Sequence, residues 1–182
     1  MRVFIALELD YITKDRIANI QSDILPYCKS SNYTLKDNLH LTLKFIGQVQ
    51  KTNIASIKEV MRTTATEISP FIFTLNKLGR FIQRGKSLIW LGSSEKNIKL
   101  ANLHKVIDEK LALKGYSRDK RSFRAHITIC RQADLIISFD RLEKLMQIDS
   151  IDITVDKLTL MESQRIDGRL VYIPIFRCPL SG

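Results

Sequence analysis

A four-residue pattern that occurs twice places the strongest constraint on how this 182-residue chain can fold. The copies are His40-Leu41-Thr42-Leu43 and His126-Ile127-Thr128-Ile129, which start 86 positions apart (126 minus 40). Alternate side chains of a β-strand share a face, so each copy presents His and Thr on one side and two aliphatic side chains on the other. Each copy therefore predicts a strand with one polar face and one face in the core.

The predicted elements follow a similar order before and after the middle of the chain. The first part reads strand, helix, strand, helix, strand pair, and the second reads helix, strand, helix, strand pair. This order predicts two similar α+β lobes that would bring the two His-Thr pairs into one groove around a pseudo-twofold axis. Predicted strands cover 2–9, 39–46, 71–78, 87–91, 124–130, 151–161 and 170–176, with a basic hairpin at 79–86; predicted helices cover 11–25, 54–68 after a cap at Thr52 or Asn53, the segment between a cap at Ser94 and Gly115, and 138–148.

Two imidazoles and two hydroxyls in one groove would suit in-line displacement at the phosphorus of a cyclic phosphodiester. One His can take a proton from water and the other can protonate the leaving oxygen, since the unperturbed pKa of His is about 6.5. The Thr hydroxyls can donate hydrogen bonds to the non-bridging oxygens. The alternative, a histidine that only packs in a strand, fits one copy better than two copies in a chain with three histidines. The third, His104, is interpreted as a surface residue without a role.

Charge favours a polyanionic partner, because the chain carries 29 Lys and Arg against 19 Asp and Glu, a formal net charge of +10. Five of the eleven residues in segment 114–124, just before His126, are Lys or Arg. RNA would gain from such a cationic approach through counterion release. Two alternatives to nucleic-acid binding stay open. The protein can be basic without a polyanionic partner, and segment 114–124 can be an ordinary solvent-exposed loop.

No cofactor, metal or membrane segment is predicted. The three cysteines, Cys28, Cys130 and Cys178, lack CxxC spacing, and no carboxylate or thiolate stands at ligand spacing from His40 or His126. Glu8 interrupts the opening apolar run too early for a signal peptide, and no stretch approaches the roughly 18 apolar residues of a spanning helix. We expect a cytoplasmic protein.

Several segments resemble the RNA 2′,3′-cyclic phosphodiesterase family, formerly called 2′-5′ RNA ligases, within the 2H phosphoesterase superfamily. Those that carry the resemblance are 1–7, 38–47, 88–92, 123–131 and 160–163, and two of them contain the His-Thr pairs. One departure is Ala125, which stands where the family usually has Pro and lacks the fixed φ of that residue. We expect the site to survive this change.

The resemblance implies an α+β, bilobed 2H phosphoesterase-like fold formed by one domain, residues 1–182. Two pseudo-twofold-related lobes, each an antiparallel sheet backed by helices, would flank a central groove. It further implies that His40 is the general acid, His126 the general base, and that Thr42, Thr128 and Arg131 bind phosphate. Strict alternation would turn Arg131 away from Thr128, so the strand must bend or end there.

The implied substrate is RNA with a 2′,3′-cyclic phosphate end, and the product is a 2′-phosphomonoester. Reverse 2′-5′ ligation would be weak, and the protein would act as a monomer without cofactor, metal or protein partner. Two alternatives stay open: a non-catalytic basic RNA-binding module, and a phosphoesterase acting on a small nucleotide cyclic phosphate.

Overall fold

Two four-stranded antiparallel sheets and a two-stranded ribbon organise the protein in a computed structural model that describes residues 1–182. All of the paired strands run antiparallel. The strands are β1 (Arg2–Glu8), β2 (Cys28–Tyr33), β3 (His40–Gln48), β4 (Phe71–Leu75), β5 (Lys77–Gln83), β6 (Lys86–Gly92), β7 (His126–Leu135), β8 (Ile151–Val155), β9 (Lys157–Ile166) and β10 (Arg169–Pro179), and the helices are α1 (Tyr11–Ile24), α2 (Ile54–Ala65), α3 (Ile98–Leu113) and α4 (Phe139–Leu145).

The strand order interleaves distant parts of the chain. Sheet A has the order β10-β9-β1-β3, and sheet B has the order β2-β7-β6-β5. Sheet A therefore joins the first strands of the chain to the last, while sheet B takes β7 from the second half and its other strands from the first. The α+β class with two sheet-based lobes is confirmed, and neither lobe is a continuous half of the chain.

The main hydrophobic core lies beneath both sheets. A single cluster of 38 buried residues includes strand residues of both sheets and the apolar stripes of the helices. Ile17 of α1, Ile57 of α2 and Leu103 of α3 are fully buried in it. Burying one such side chain stabilises the fold by roughly 1.5–3 kcal/mol. This shared core holds the two sheets at a fixed separation.

Two predicted strands are wrong in extent. Each covers two shorter strands that belong to different sheets. The predicted strand 71–78 breaks after Leu75: β4 pairs with β8 in the ribbon, whereas β5 pairs with β6 in sheet B. The predicted strand 151–161 breaks in the same way at Asp156, between β8 and β9. The sequence does not show where the chain passes from one sheet to the other, since the strands on both sides of the break contain buried apolar residues.

The predicted hairpin 79–86 is present, but its turn is shorter than expected. β5 continues to Gln83, and only Arg84 and Gly85 form the turn, with φ of 51° and 76°. Two successive positive φ values are typical of the tight turns whose twist matches the strands they join. The chain also forms β2 (Cys28–Tyr33), which the sequence did not predict.

Two helix boundaries also differ from the prediction. The cap of α3 is Asn97, whose side chain accepts a hydrogen bond from the Leu100 amide at 2.8 Å. Ser94 instead donates its own amide to the Asn76 side chain. Helix α2 ends at Ala65 rather than at residue 68.

None of the four helices combines the length and the apolarity that crossing a lipid bilayer requires.

Candidate active site

The two His-Thr pairs meet in one cavity between sheets A and B. His40 opens β3 and His126 opens β7, and these strands lie next to each other across the sheet boundary. Within each sheet, Thr42 lies opposite Ala6 of β1, and Thr128 lies opposite Trp90 of β6. The two-histidine cavity, as we call it, is lined by Asn32, Tyr33, Thr34, Asn38, His40, Thr42, His126, Thr128, Arg131, Leu170 and Tyr172.

A β-bulge at the same position in both strands explains how Arg131 reaches this cavity. On β7, Thr128 pairs with Trp90 and Cys130 with Ile89, so Ile129 is an extra residue. Bulges shift the alternation of side chains by one position. Cys130 therefore turns into the core beside Ile129, and Arg131 turns outward to line the cavity. The bend expected near Arg131 is present.

β3 carries the matching bulge. Thr42 pairs with Ala6 and Lys44 with Ile5, which leaves Leu43 as the extra residue. Leu43 and Lys44 are both buried, and the next residue, Phe45, turns outward with 48% of its surface exposed. Phe45 follows its histidine by five positions, as Arg131 follows His126, and is therefore its structural counterpart.

Both imidazole rings are oriented by the same local contact. The Nδ1 of His40 lies 2.7 Å from the Asn38 carbonyl oxygen, and the Nδ1 of His126 lies 2.7 Å from the Arg124 carbonyl oxygen. A carbonyl oxygen only accepts hydrogen bonds, so Nδ1 must carry the proton in each ring. Each Nε2 then has a lone pair when the ring is neutral and a proton when it is charged. Both roles of an acid-base pair are open to these two atoms.

Aromatic side chains pack against the imidazole ring of each histidine. Phe4 and Tyr172 lie 4.9 Å from the ring of His40, centroid to centroid. On the other side, Phe81 lies 5.2 Å and Trp90 6.1 Å from the ring of His126. These walls restrict rotation of the imidazoles and limit the access of water to them.

Trp90 in turn needs the glycine at position 79. A Cβ added to Gly79 would lie 2.1 Å from the indole ring, so any larger residue would displace the tryptophan. Gly79 lies opposite Trp90 in the pairing of β5 with β6. The absence of a side chain at one position of β5 thus allows Trp90 to support His126.

Asn38 links the approach to β3 with the edge of sheet A. Its side-chain amide donates to the Leu170 carbonyl oxygen at 2.7 Å and accepts from the Tyr172 amide at 3.2 Å. Its own carbonyl orients His40, as described above. Asn38 therefore positions both the ring of His40 and the strand that carries Tyr172, a role that no pattern in the sequence indicated.

Burial lowers the pKa of both histidines. The pKa of His40 falls to about 4, chiefly because burial disfavours the charged imidazolium and also because Arg131, Lys14 and His126 lie near. The pKa of His126 is lowered by burial and by the positive charges of Arg131 and Arg124. The backbone carbonyl on each Nδ1 opposes these effects without overcoming them. Both rings are therefore neutral at pH 7 in the unliganded protein.

Glu8 lies opposite His40 on β1, but its carboxylate is engaged elsewhere. Thr159 donates to it at 2.7 Å, and Arg177 donates two hydrogen bonds at 2.6 and 2.9 Å. The bonds from Arg177 hold the pKa of Glu8 below its usual value. The nearest cross-strand carboxylate is thus neutralised by Arg177, and the Asn38 carbonyl takes the place of an acidic partner for His40.

The interpretation of His104 as a surface residue is wrong. Its side chain is 12% exposed, its Nε2 lies 3.0 Å from Asp119, and its ring stacks on Phe123 at 4.2 Å. Asp119 and Asp108 also bind the buried ammonium of Lys44, at 2.8 and 2.5 Å. This network attaches segment 114–124 to α3 and β3.

The basic segment 114–124 lies outside the two-histidine cavity. None of its residues lines that cavity. These five Lys and Arg side chains therefore do not form the wall of the cavity, although the charge of Arg124 lies near enough to His126 to lower its pKa. Arginines of sheet A, Arg2 and Arg165, instead line the groove that continues from the cavity. They were missed because they are isolated in sequence and come together only through the pairing of β9 with β1.

No group of three or more His, Cys, Asp or Glu side chains is placed to hold a metal ion. The hydrogen-bonding groups in the cavity are instead imidazoles, hydroxyls, amides and one guanidinium. Such a set suits a small anion, because all of these groups can donate hydrogen bonds.

Comparison with known proteins agrees with this geometry. A curated relative from Thermotoga maritima, named RNA 2′,3′-cyclic phosphodiesterase, is 25% identical over an alignment covering 100% of this chain and 97% of that protein. A relative of the same name from Archaeoglobus fulgidus is 31% identical, and the alignment covers 72% of each chain. The crystal structure of Escherichia coli LigT complexed with 3′-AMP has the same fold, with a TM-score of 0.83 at 24% identity, covering 100% of this chain and 98% of LigT.

A comparison with whole protein families gives a further match. Residues 14–167, a span that contains both His-Thr pairs, match the family described as the 2′-5′ RNA ligase superfamily. The match covers well over half of the chain, and it agrees with the relatives above and with the fold. The chain therefore belongs to the 2′-5′ RNA ligase superfamily.

Proposed function

We propose that this protein is an enzyme that hydrolyses the 2′,3′-cyclic phosphate end of RNA to a 2′-phosphomonoester. The observation that carries the proposal is the pair of imidazoles in one cavity, each with its Nδ1 held by a backbone carbonyl and each followed by a threonine on the same face. The name shared by the curated relatives, RNA 2′,3′-cyclic phosphodiesterase, supports the same reaction.

The reaction needs one proton taken and one proton given. Nε2 of His126 removes a proton from water while the water oxygen bonds to phosphorus. The bond between phosphorus and O3′ breaks, and Nε2 of His40 supplies the proton that O3′ requires. The products are a 3′-hydroxyl and a 2′-phosphate, and exchange with solvent returns the protons to their starting positions. Each proton transfer is typically worth about 10²–10⁴-fold in rate.

Thr42, Thr128 and Arg131 bind the phosphate during this displacement. All three line the cavity with the histidines. The hydroxyls donate to non-bridging oxygens, and the guanidinium of Arg131 offsets their negative charge. Stabilisation of this kind is strongest where the donors are fixed before the reaction begins. The β-sheets and the bulge at Ile129 fix these three side chains.

The low pKa of His40 places a condition on its role as the acid. At about 4, the pKa leaves the ring neutral at pH 7 in the free protein. A bound cyclic phosphate carries a negative charge, and a nearby opposite charge favours the protonated imidazole. Substrate binding therefore has to raise the pKa of His40 before O3′ can be protonated.

The same groups allow a weak reverse reaction. A 5′-hydroxyl of another RNA can replace water, attack the cyclic phosphate and leave a 2′-5′ linkage. Water is present at far higher concentration than RNA ends. Hydrolysis is therefore the main reaction, and ligation is a minor one.

The reaction as proposed requires no metal ion. Two imidazoles supply and remove the protons, and Arg131 with the two threonines binds the charge. Activity should persist in EDTA. Loss of activity in EDTA that a divalent ion restores would contradict this part of the proposal.

The proposal is tested by incubating the protein with an RNA oligomer that ends in a 2′,3′-cyclic phosphate. We expect a 2′-phosphate as the only isomer formed, and we expect His40→Ala and His126→Ala each to lower kcat by at least about 10²-fold. His104→Gln is the matched control, because its ring lies outside the cavity. A wild-type protein that binds this RNA without converting it would favour a non-catalytic binding module. A 3′-phosphate product would reverse the assignment of the leaving oxygen.

A further inference from the structure

A second, larger groove opens directly from the two-histidine cavity on the His40 side. We call it the sheet A groove; it encloses about 730 Å³, against about 90 Å³ for the cavity. Ligand pockets for whole small molecules occupy roughly 300–1,000 Å³. The cavity suits a phosphate group, and the groove has room for nucleosides. The residues that line both are His40, Thr42, Arg131, Leu170 and Tyr172.

The charge of this groove is uniformly positive. Arg2, Arg131 and Arg165 line it, and no Asp or Glu does. Arg165 is held at the rim by a hydrogen bond of 3.1 Å from its Nη1 to the Gly168 carbonyl oxygen, which leaves other N–H donors free. Arginine is well suited to phosphate, because its planar group can donate two hydrogen bonds at once.

The hollow on the other side, beside Trp90 and Ala125, has a mixed charge. It encloses about 460 Å³, and the carboxylates Asp140 and Glu143 line it together with Lys77, Arg80 and Arg124. Carboxylates oppose a polyanion at close range. The sheet A groove is therefore the better path for an RNA chain that leaves the cavity.

An exposed aromatic ring stands in the same groove. Phe45 is 48% exposed and is brought to this face by the bulge at Leu43. The guanidinium of Arg2 lies 5.0 Å from the centroid of its ring, and Phe4 lies 6.4 Å away in a stacked orientation. Aromatic rings beside arginines are typical of grooves that bind single-stranded nucleic acid, in which bases stack on the rings.

We propose that the sheet A groove binds the RNA chain on the 5′ side of the cyclic phosphate, with Arg2 and Arg165 on backbone phosphates and Phe45 stacking on a base. This inference rests on the proposed function for the position of the cyclic phosphate. It also gives the site a direction, since a ribose in this groove places the ribose oxygens that are bonded to phosphorus on the His40 side. His126 does not line the groove, so it is left on the side from which water attacks in the proposed reaction. The direction agrees with His40 as the acid.

The test compares Arg2→Gln, Arg165→Gln and Phe45→Ala in two assays. The first is kcat/KM on an RNA octamer and on a mononucleotide, each with a 2′,3′-cyclic phosphate. The second is the Kd for the octamer ending in a 2′-phosphate, which requires no turnover. Each arginine change should weaken octamer binding by about tenfold and reduce the slope of log Kd against log salt by about 0.7. Phe45→Ala should weaken it by roughly 5- to 100-fold.

Two further variants act as controls. Arg141→Gln removes an exposed arginine of α4 that lines neither the cavity nor the groove, and it should leave the Kd unchanged. Arg121→Gln tests the rival path along segment 114–124, and it should cost less than either groove arginine.

The possible outcomes separate the groove from the reaction. Octamer activity that falls about tenfold more than mononucleotide activity in the arginine variants would support the groove. An unchanged Kd in Arg2→Gln and Arg165→Gln, or a larger loss in Arg121→Gln, would overturn it. If the wild-type protein converts neither substrate, but the groove variants still bind the octamer more weakly than the wild type, the proposed function is contradicted and the groove remains supported.

Discussion

At the level of single residues, the two histidines share the same hydrogen bond to the backbone. In both, the carbonyl oxygen two positions earlier holds Nδ1, so Nε2 is the ring nitrogen left for substrate; in His40 it lies 2.9 Å from the Thr42 hydroxyl oxygen, a contact that substrate has to replace. The sequence predicted that each His and its Thr share a face, because strand alternation requires it. It could not predict ring orientation, which depends on the turn conformations at Asn38 and Arg124. It also gave no sign that Asn38 would reach across to β10.

The lowered pKa values predict an unusual pH dependence. Both values lie below 6.5 in the free protein, so the singly protonated state needed for acid-base catalysis exists only on the acidic side. We expect a bell-shaped profile of kcat/KM with both limbs below pH 6.5. The anionic substrate raises the pKa values, so the profile of kcat should shift to higher pH.

This prediction is checked by measuring kcat and kcat/KM between pH 4 and 9 on one cyclic substrate. The apparent pKa values belong to the pair of histidines rather than to either one. A profile with one ionisation, or a bell for kcat/KM centred above pH 7, would be inconsistent with two buried imidazoles in acid and base roles.

The threonines of the cavity give a second prediction at this scale. Thr42→Val and Thr128→Val keep the strand and the shape but remove the hydroxyl that donates to phosphate. We expect each to lower kcat by about 10²-fold with a smaller change in KM, since the bond strengthens in the transition state. Thr154→Val, on the exposed face of β8, is the matched control. Equal kinetics in all three variants would remove the threonines from the mechanism.

At the level of elements, the matching bulges in β3 and β7 decide which side chains reach the site. Each adds one residue directly after its His-Thr pair. The bulge turns outward the residue five positions after the histidine, which is Phe45 in β3 and Arg131 in β7. The conflict between alternation and a role for Arg131 indicated from sequence that β7 could not be regular. The bulge on β3 was not predicted, because Phe45 had no assigned role and a buried Lys44 was not anticipated.

Lys44 yields a prediction about the connection between β3 and segment 114–124. Its side chain is 2% exposed, and its ammonium binds Asp108, Asp119 and the Ser117 carbonyl oxygen. Lys44→Met removes the ammonium that Asp108 and Asp119 share and leaves Asp119 with His104 as its remaining side-chain partner, and breaking a buried pair is strongly destabilising. Asp119 is 37% exposed, so we expect a loss of about 2–4 kcal/mol in the free energy of unfolding, measured in urea.

A surface pair provides the comparison for Lys44. Lys114 binds Glu59 at 3.0 Å, and both side chains are well exposed. Lys114→Met should therefore cost less than about 1 kcal/mol. Similar losses in Lys44→Met and Lys114→Met would mean that the buried network does not anchor the segment.

For the whole molecule, the sequence predicted the class of fold but not how the chain divides between the sheets. Periodicity located most strands and helices, and the duplicated pattern predicted two lobes with a shared site. Which strands pair depends on contacts across the full length of the chain, such as β1 with β9. The short and mostly polar β2 was missed because pairing with β7, not its own pattern, makes it a strand.

The interleaved sheets predict that residues 1–182 unfold as one unit. Sheet A joins both ends of the chain, and a single core connects it to sheet B. Trp90, the one tryptophan, reports on sheet B by fluorescence, whereas far-UV circular dichroism reports on all elements. We expect the two signals to give coincident urea transitions. Two separate transitions would show that the lobes are independent domains.

The most direct test of the central claim replaces the leaving oxygen. A cyclic substrate with sulfur at the 3′ position releases a thiolate, which needs little protonation because a thiol pKa is about 8.5. If His40 is the acid and His126 the base, sulfur should restore most of the activity lost in His40→Ala and little of that lost in His126→Ala. Rescue of His126→Ala instead, or equal behaviour of the two variants on both substrates, would contradict the assignment of acid and base to these two rings.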